Sequence, residues 1–109
     1  MNFTVKSKSS GNEYVVQVYS TEDGPVITCD CPAGENGQYC KHRFALISGD
    51  ESEVVEADAP VSEIAKLVAG SRLEATIDAM HKQEAVVKKA QADLKAIKKT
   101  VASAMLGRL

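Results

Sequence analysis

The segment Cys29–His42, CDCPAGENGQYCKH, holds all three cysteines of a 109-residue chain and one of its two histidines. They fall as C-x-C, eight intervening residues, then C-x-H. No other feature restricts the fold as tightly, because three thiols and an imidazole in so short a stretch need a common destination. An odd cysteine count argues against a closed disulfide framework. MNFTVKSKSS lacks the apolar core of a secretory signal, and no apolar run approaches the ~20 residues of a membrane span. The thiols are therefore expected in a reducing compartment, the cytoplasm by default, or the nucleoid or nucleus if the protein associates with DNA.

Zinc takes four thiolate or imidazole ligands at tetrahedral angles. Cys29, Cys31, Cys40 and His42 make such a set. Positions i and i+2 of a strand share a face, so Cys29 and Cys31 can reach one ion from β-structure. On a helix, i and i+2 lie ~200° apart, so Cys40 is expected in the turn and His42 in the first helical turn after it. Pro32, Gly34, Asn36 and Gly37 between the pairs suit a loop that returns to a metal. A nucleophilic Cys–His pair is the competing chemistry. It needs one activated thiol and a pocket, and a four-ligand zinc leaves no open position for water. A closed structural Zn2+ site is the expected cofactor chemistry, with no catalytic residues and no small-molecule substrate. Lys41 and Arg43 offset the charge of three thiolates, and backbone N–H groups of the 32–39 loop are expected to hydrogen-bond the sulfurs.

The pattern Cys29-Asp30-Cys31, Pro32–Tyr39, Cys40-Lys41-His42 resembles the SWIM zinc-finger family, whose signature is C-x-C, a variable spacer and C-x-H. The proline after the second cysteine and the basic residue before the histidine are similar to that family as well. The resemblance covers residues 13–48. It implies a ββα finger, with a strand hairpin carrying Cys29 and Cys31 and a helix start carrying Cys40 and His42. It also implies binding to DNA or to other proteins, as in transposase-like proteins, chromatin-remodelling ATPases, certain kinases and recombination factors.

Around this motif the fold class reads as α+β. NFTVKSKS alternates Phe3 and Val5 with polar residues. EYVVQVYS places Tyr14, Val16 and Val18 on one face, and VITC begins a third strand. SSGN and TEDGP are turns, and KHRFALISG is a short helix ended by Gly49. Residues 1–49 are thus the expected finger domain, and the acidic 50–59, DESEVVEADA, the expected linker. Residues 60–109 are expected to be helical, with a short helix over 60–69 and a long one over 72–106. Ser71 and Glu74 form a capping box for the long helix. Within it Leu73, Met80, Val87, Leu94 and Val101 recur every seven residues, as in a coiled coil.

Charge divides the chain. Residues 1–59 carry four Lys/Arg against ten Asp/Glu, a net of −6, and residues 60–109 carry nine against five, a net of +4. An acidic first half disfavours a broad phosphate-binding surface there. On the long helix Lys88, Lys95 and Lys99 share a stripe, but Asp78–Lys82 and Glu84–Lys88 have the i,i+4 spacing of helix-supporting pairs. The expected function is a non-enzymatic adaptor, a zinc-ordered module whose long helix docks to a protein partner or a second copy. The alternative is a nucleic-acid-binding finger using Lys41, Arg43, Lys88, Lys95 and Lys99.

Overall fold

The computed structural model describes residues 1–108. Strands β1 (Asn2–Lys6), β2 (Glu13–Thr21) and β3 (Gly24–Cys29) are followed by the helical turn α1 (Pro32–Glu35) and helix α2 (Lys41–Ile47). Strand β4 (Val54–Ala57), helix α3 (Ser62–Val68) and helix α4 (Arg72–Met105) complete the chain. The structure is α+β, with one antiparallel sheet in the order β3-β2-β1-β4.

Alternation decides which face of the sheet is covered. Phe3 and Val5 of β1 pair with Val16 and Tyr14 of β2, and Phe3, Val5, Val16 and Val18 are all fully buried. Leu46, Val61, Ile64 and Val68 close the core from the helical side. Gly11 and Gly24 take positive φ of 75° and 116° in the two hairpin turns, a conformation that only glycine adopts freely. The β1–β2 loop is closed by Ser7 N–H to Asn12 C=O and Gly11 N–H to Ser7 C=O, both 2.8 Å.

Two features depart from the sequence expectations. The acidic stretch 50–59 contains a strand: β4 pairs antiparallel with β1 through Phe3–Ala57 and Thr4–Glu56, with an irregularity before Val5–Val54. Lys6 N–H to Glu53 C=O extends that pairing. Helix α3 packs on α2 and buries Val61, Ile64 and Val68, so it falls within the compact unit Met1–Glu74 and not with the long helix. Helix α2 buries His42 and Leu46, one helical turn apart, whereas Phe44 and Ile47 are half-buried.

The second unit, Ala75–Leu109, is built on α4. The helix opens as the sequence suggests: Ser71 Oγ accepts from Glu74 N–H at 3.2 Å, and Glu74 Oε1 accepts from Gly70 N–H at 3.2 Å. Every residue from His81 to Ala102 is exposed. The i,i+4 ion pair on this surface is Lys89–Asp93, at 2.9 Å, while neither Lys82 nor Lys88 is paired among the described residues. No helix among the described residues is long and apolar enough to cross a membrane.

Candidate metal centre

The four residues singled out by their spacing converge. Cys29 ends β3 opposite Val16; next to it the Asp30 N–H donates to Val15 C=O at 3.3 Å, while its carboxylate, in place of a backbone carbonyl, accepts the Val15 N–H at 2.8 Å. Cys31 is not on the strand. It is the N-cap of α1, and its sulfur accepts the Gly34 N–H at 3.3 Å. This is the loop amide-to-sulfur bond anticipated for residues 32–39. Cys40 is the extended N-cap of α2 (φ −125°, ψ 118°), and His42 lies in the first turn of that helix. The i and i+2 ligands meet because one of them precedes the helix.

The ligand atoms of Cys29, Cys31, Cys40 and His42 all lie within 4.8 Å of one another, and all four residues are buried. Cys31 Sγ and Cys40 Sγ are 3.4 Å apart, too far for a disulfide bond. Nδ1 of His42 lies 3.6 Å from Cys40 Sγ and 3.9 Å from Cys29 Sγ. Tetrahedral Zn–S and Zn–N bonds place neighbouring sulfurs about 3.8 Å apart and sulfur and nitrogen about 3.5 Å apart. The residues present therefore fit Zn2+, held through Nδ1 of the imidazole.

Left without a cation, the thiols titrate unequally. Burial pushes Cys29 up to about 12, reinforced by the adjacent sulfurs of Cys31 and Cys40. Burial also raises Cys40, but the Arg43 backbone N–H and hydrogen bonds from Cys31, His42 and Cys29 outweigh it and bring that thiol down to about 6. Cys40 thus ionises beside a protonated Cys29, and a divalent cation is what lets both sulfurs carry charge together.

The surroundings hold the ligands in place. Tyr14 lies against the His42 ring with centroids 5.2 Å apart, and Nε2 is buried with no hydrogen-bond partner among the described residues. The ring is oriented here by packing in place of the usual acceptor. A Cβ on Gly34 would press onto the carbonyl oxygen of Cys29, so α1 can cross the end of β3 only because residue 34 is glycine. Arg43 faces inward: Nη1 donates to Ile27 C=O at 3.3 Å and Nη2 to Gln38 C=O at 2.5 Å, tying β3 to the segment before α2. Spacing alone does not reveal that role.

The other sequence candidates do not join the centre. Lys41 is exposed and donates to Ser9 Oγ at 3.0 Å. Lys88, Lys95 and Lys99 stand exposed on α4, in the other unit. Comparison with curated proteins and with solved structures finds no match. Comparison with family models matches residues 14–48 to the SWIM zinc finger. That range begins at the tyrosine packed on His42 and ends at the C-cap of α2, enclosing every ligand. Residues 14–48 of this chain carry a SWIM zinc finger, and Zn2+ is the cofactor its cluster holds.

Proposed function

We infer that the protein is a non-enzymatic interaction module, in which zinc orders the finger and α4 docks to a partner, a second copy of the chain being the first to test. The observation that carries this reading is the exposed apolar series on α4. Val87, Leu94 and Val101 recur every seven residues and are each about half exposed, at 47%, 52% and 46%. Ile97 extends the same seam one turn beyond Leu94. At 34 residues the helix is about 51 Å long, far beyond what an isolated helix needs for its own caps. A helix with no buried residue from 81 to 102 gains stability from association along such a seam.

The metal centre supports a binding role over a catalytic one, because all four coordination positions are taken by protein and buried. Sedimentation equilibrium of the zinc-loaded chain tests the reading. Dimers or higher species that dissociate on Leu94→Asp support it, and a monomer at all concentrations up to about 100 μM refutes self-association. Lys88, Lys95, Lys98 and Lys99, unpaired among the described residues, favour nucleic acid as a second reading. Retention of duplex DNA that falls steeply with salt and is lost on replacing these lysines would support it.

A further inference from the structure

Beside the metal centre, on the side of the β1–β2 loop, lies an open cavity of about 430 Å³. Cys31, Cys40 and His42 line its floor, and its polar wall consists of Ser7, Ser9, Ser10, Tyr14, Tyr39 and Lys41. The hydrogen bonds along this wall leave a surplus of donors. Lys41 Nζ donates to Ser9 Oγ, and Ser9 Oγ and Ser7 Oγ are 3.0 Å apart, so whichever hydroxyl donates to the other, one O–H of that pair stays unused. Ser10 Oγ accepts from the Asn12 N–H at 3.3 Å, and Tyr14 Oη accepts from Asn12 Nδ2 at 3.4 Å, which leaves both of those O–H groups unassigned. Lys41 retains two further N–H groups, and no carboxylate lines the cavity. Three thiolates on Zn2+ carry a net −1, which Lys41 at the cavity wall offsets. A wall of this kind suits a ligand made of acceptors.

The same wall presents an ordered aromatic face. Tyr39 stacks on Phe44, with centroids 4.4 Å apart and planes 15° from parallel, yet it is 64% exposed. One face of its ring is occupied and the other is open. Because Cys40 between them is extended and sends its own side chain to the metal, Tyr39 and Lys41 share the opposite side of the backbone, about 6.6 Å apart along it. Both side chains line the same cavity, so a phosphate at Lys41 and a base at Tyr39 can belong to one ligand. The long lysine-bearing helix has no Phe, Tyr or Trp between Arg72 and Met105 to serve as such a stacking platform.

We propose that this cavity binds a nucleotide, its phosphate held by Lys41 and the serine hydroxyls of the β1–β2 loop and its base stacked on the open face of Tyr39. The site rests on the zinc-ordered finger but is independent of what α4 does. The ligand can be a free nucleotide or one residue of a single strand, and the two sources are separable.

Calorimetric titration of the zinc-loaded full chain with adenosine monophosphate, adenosine, inorganic phosphate and a short oligoadenylate tests the site. Zinc content and circular dichroism are recorded for every variant. Saturable binding of adenosine monophosphate, weakened about tenfold or more by Lys41→Ala and by Tyr39→Leu and unchanged by Lys66→Ala, is the expected result. Adenosine and phosphate alone should bind at least about tenfold more weakly, each having half of the contacts. Oligoadenylate binding tighter than the monophosphate, with the same dependence on Lys41 and Tyr39, identifies a strand as the source. Equal or weaker binding identifies the free nucleotide. Ser9→Ala, an exposed position, provides a second variant if Lys41→Ala loses zinc, and it too should weaken binding. The absence of saturation with both ligands, or binding indifferent to Lys41 and Ser9, overturns the proposal. A wild-type chain that holds no zinc refutes the metal reading instead.

Discussion

Gly34→Ala isolates the close approach on which the centre depends. An added methyl would meet the Cys29 carbonyl oxygen in hard contact, its carbonyl carbon at 2.9 Å and its Cβ at 3.0 Å, where ordinary contact begins at 3.4 Å. The atoms that must yield belong to the backbone of a zinc ligand, and residue 34 itself donates to the sulfur of a second ligand. Relief therefore requires Cys29 and Cys31 to separate by several tenths of an ångström, while zinc–ligand distances tolerate about 0.2 Å. Overpacking of this kind costs about 1–3 kcal/mol, and disturbing groups that support metal ligands costs about 10–100-fold in affinity. Competition with a chromophoric zinc chelator measures the affinity, and thermal unfolding of the holo-protein measures the stability. Gly37→Ala is the matched control. It places a side chain at φ 69° with nothing within 4 Å, so it should cost about 1–2 kcal/mol in backbone strain and leave zinc affinity unchanged. If Gly34→Ala binds zinc as the wild type does, or if the two variants lose affinity equally, the reasoning from close approach is wrong.

With Cys29 held up at about 12 and Cys40 down at about 6, zinc must displace the Cys29 proton at neutral pH but finds Cys40 already ionised. Affinity should therefore rise with pH above about 6, about tenfold per unit for the Cys29 proton alone, and fall more steeply below it as Cys40 protonates. A pH-independent affinity by chelator competition would contradict this. Arg43→Ala removes donors to Ile27 and Gln38 and should destabilise the finger by about 1–3 kcal/mol in denaturant unfolding of the holo-protein. Loss of duplex DNA binding without loss of stability would instead mark Arg43 as a contact residue. Ser71→Ala removes the cap of α4 and should cost about 1 kcal/mol, read as a lower unfolding midpoint of the helical signal.

The metal site was legible in the sequence to the level of its ligands, because coordination chemistry accepts few residue types and the i,i+2 spacings left few placements for them. Cys40 before the helix and His42 within it follow from helical geometry alone. Position 31 was harder. The sequence allows Cys29 and Cys31 to share a strand, but the strand ends at Cys29, beside the Asp30 carboxylate that accepts the Val15 amide. Strand β4 left no local trace, since Val55 is exposed and the segment is chosen by a partner some fifty residues away on β1. The burial of Leu46 over Phe44 has a similar cause. Phe44 is engaged by Tyr39, and only the assembled core shows which side of α2 faces inward.

The order β3-β2-β1-β4 puts the first strand of the chain in the interior of the sheet, with its outer edge covered only by a segment made much later. The hairpins β1–β2 and β2–β3 close short loops, whereas β1–β4 must close a loop that contains the whole finger. Pinning residue 29 to residue 42 through the ion shortens that loop, so metal capture should precede and accelerate docking of β4. Starved of zinc, the chain would linger with the edge of β1 open, and an unpaired edge of that kind recruits strands from neighbouring molecules. Metal deficiency would then appear first as aggregation of the newly made protein, before any loss of binding could be measured.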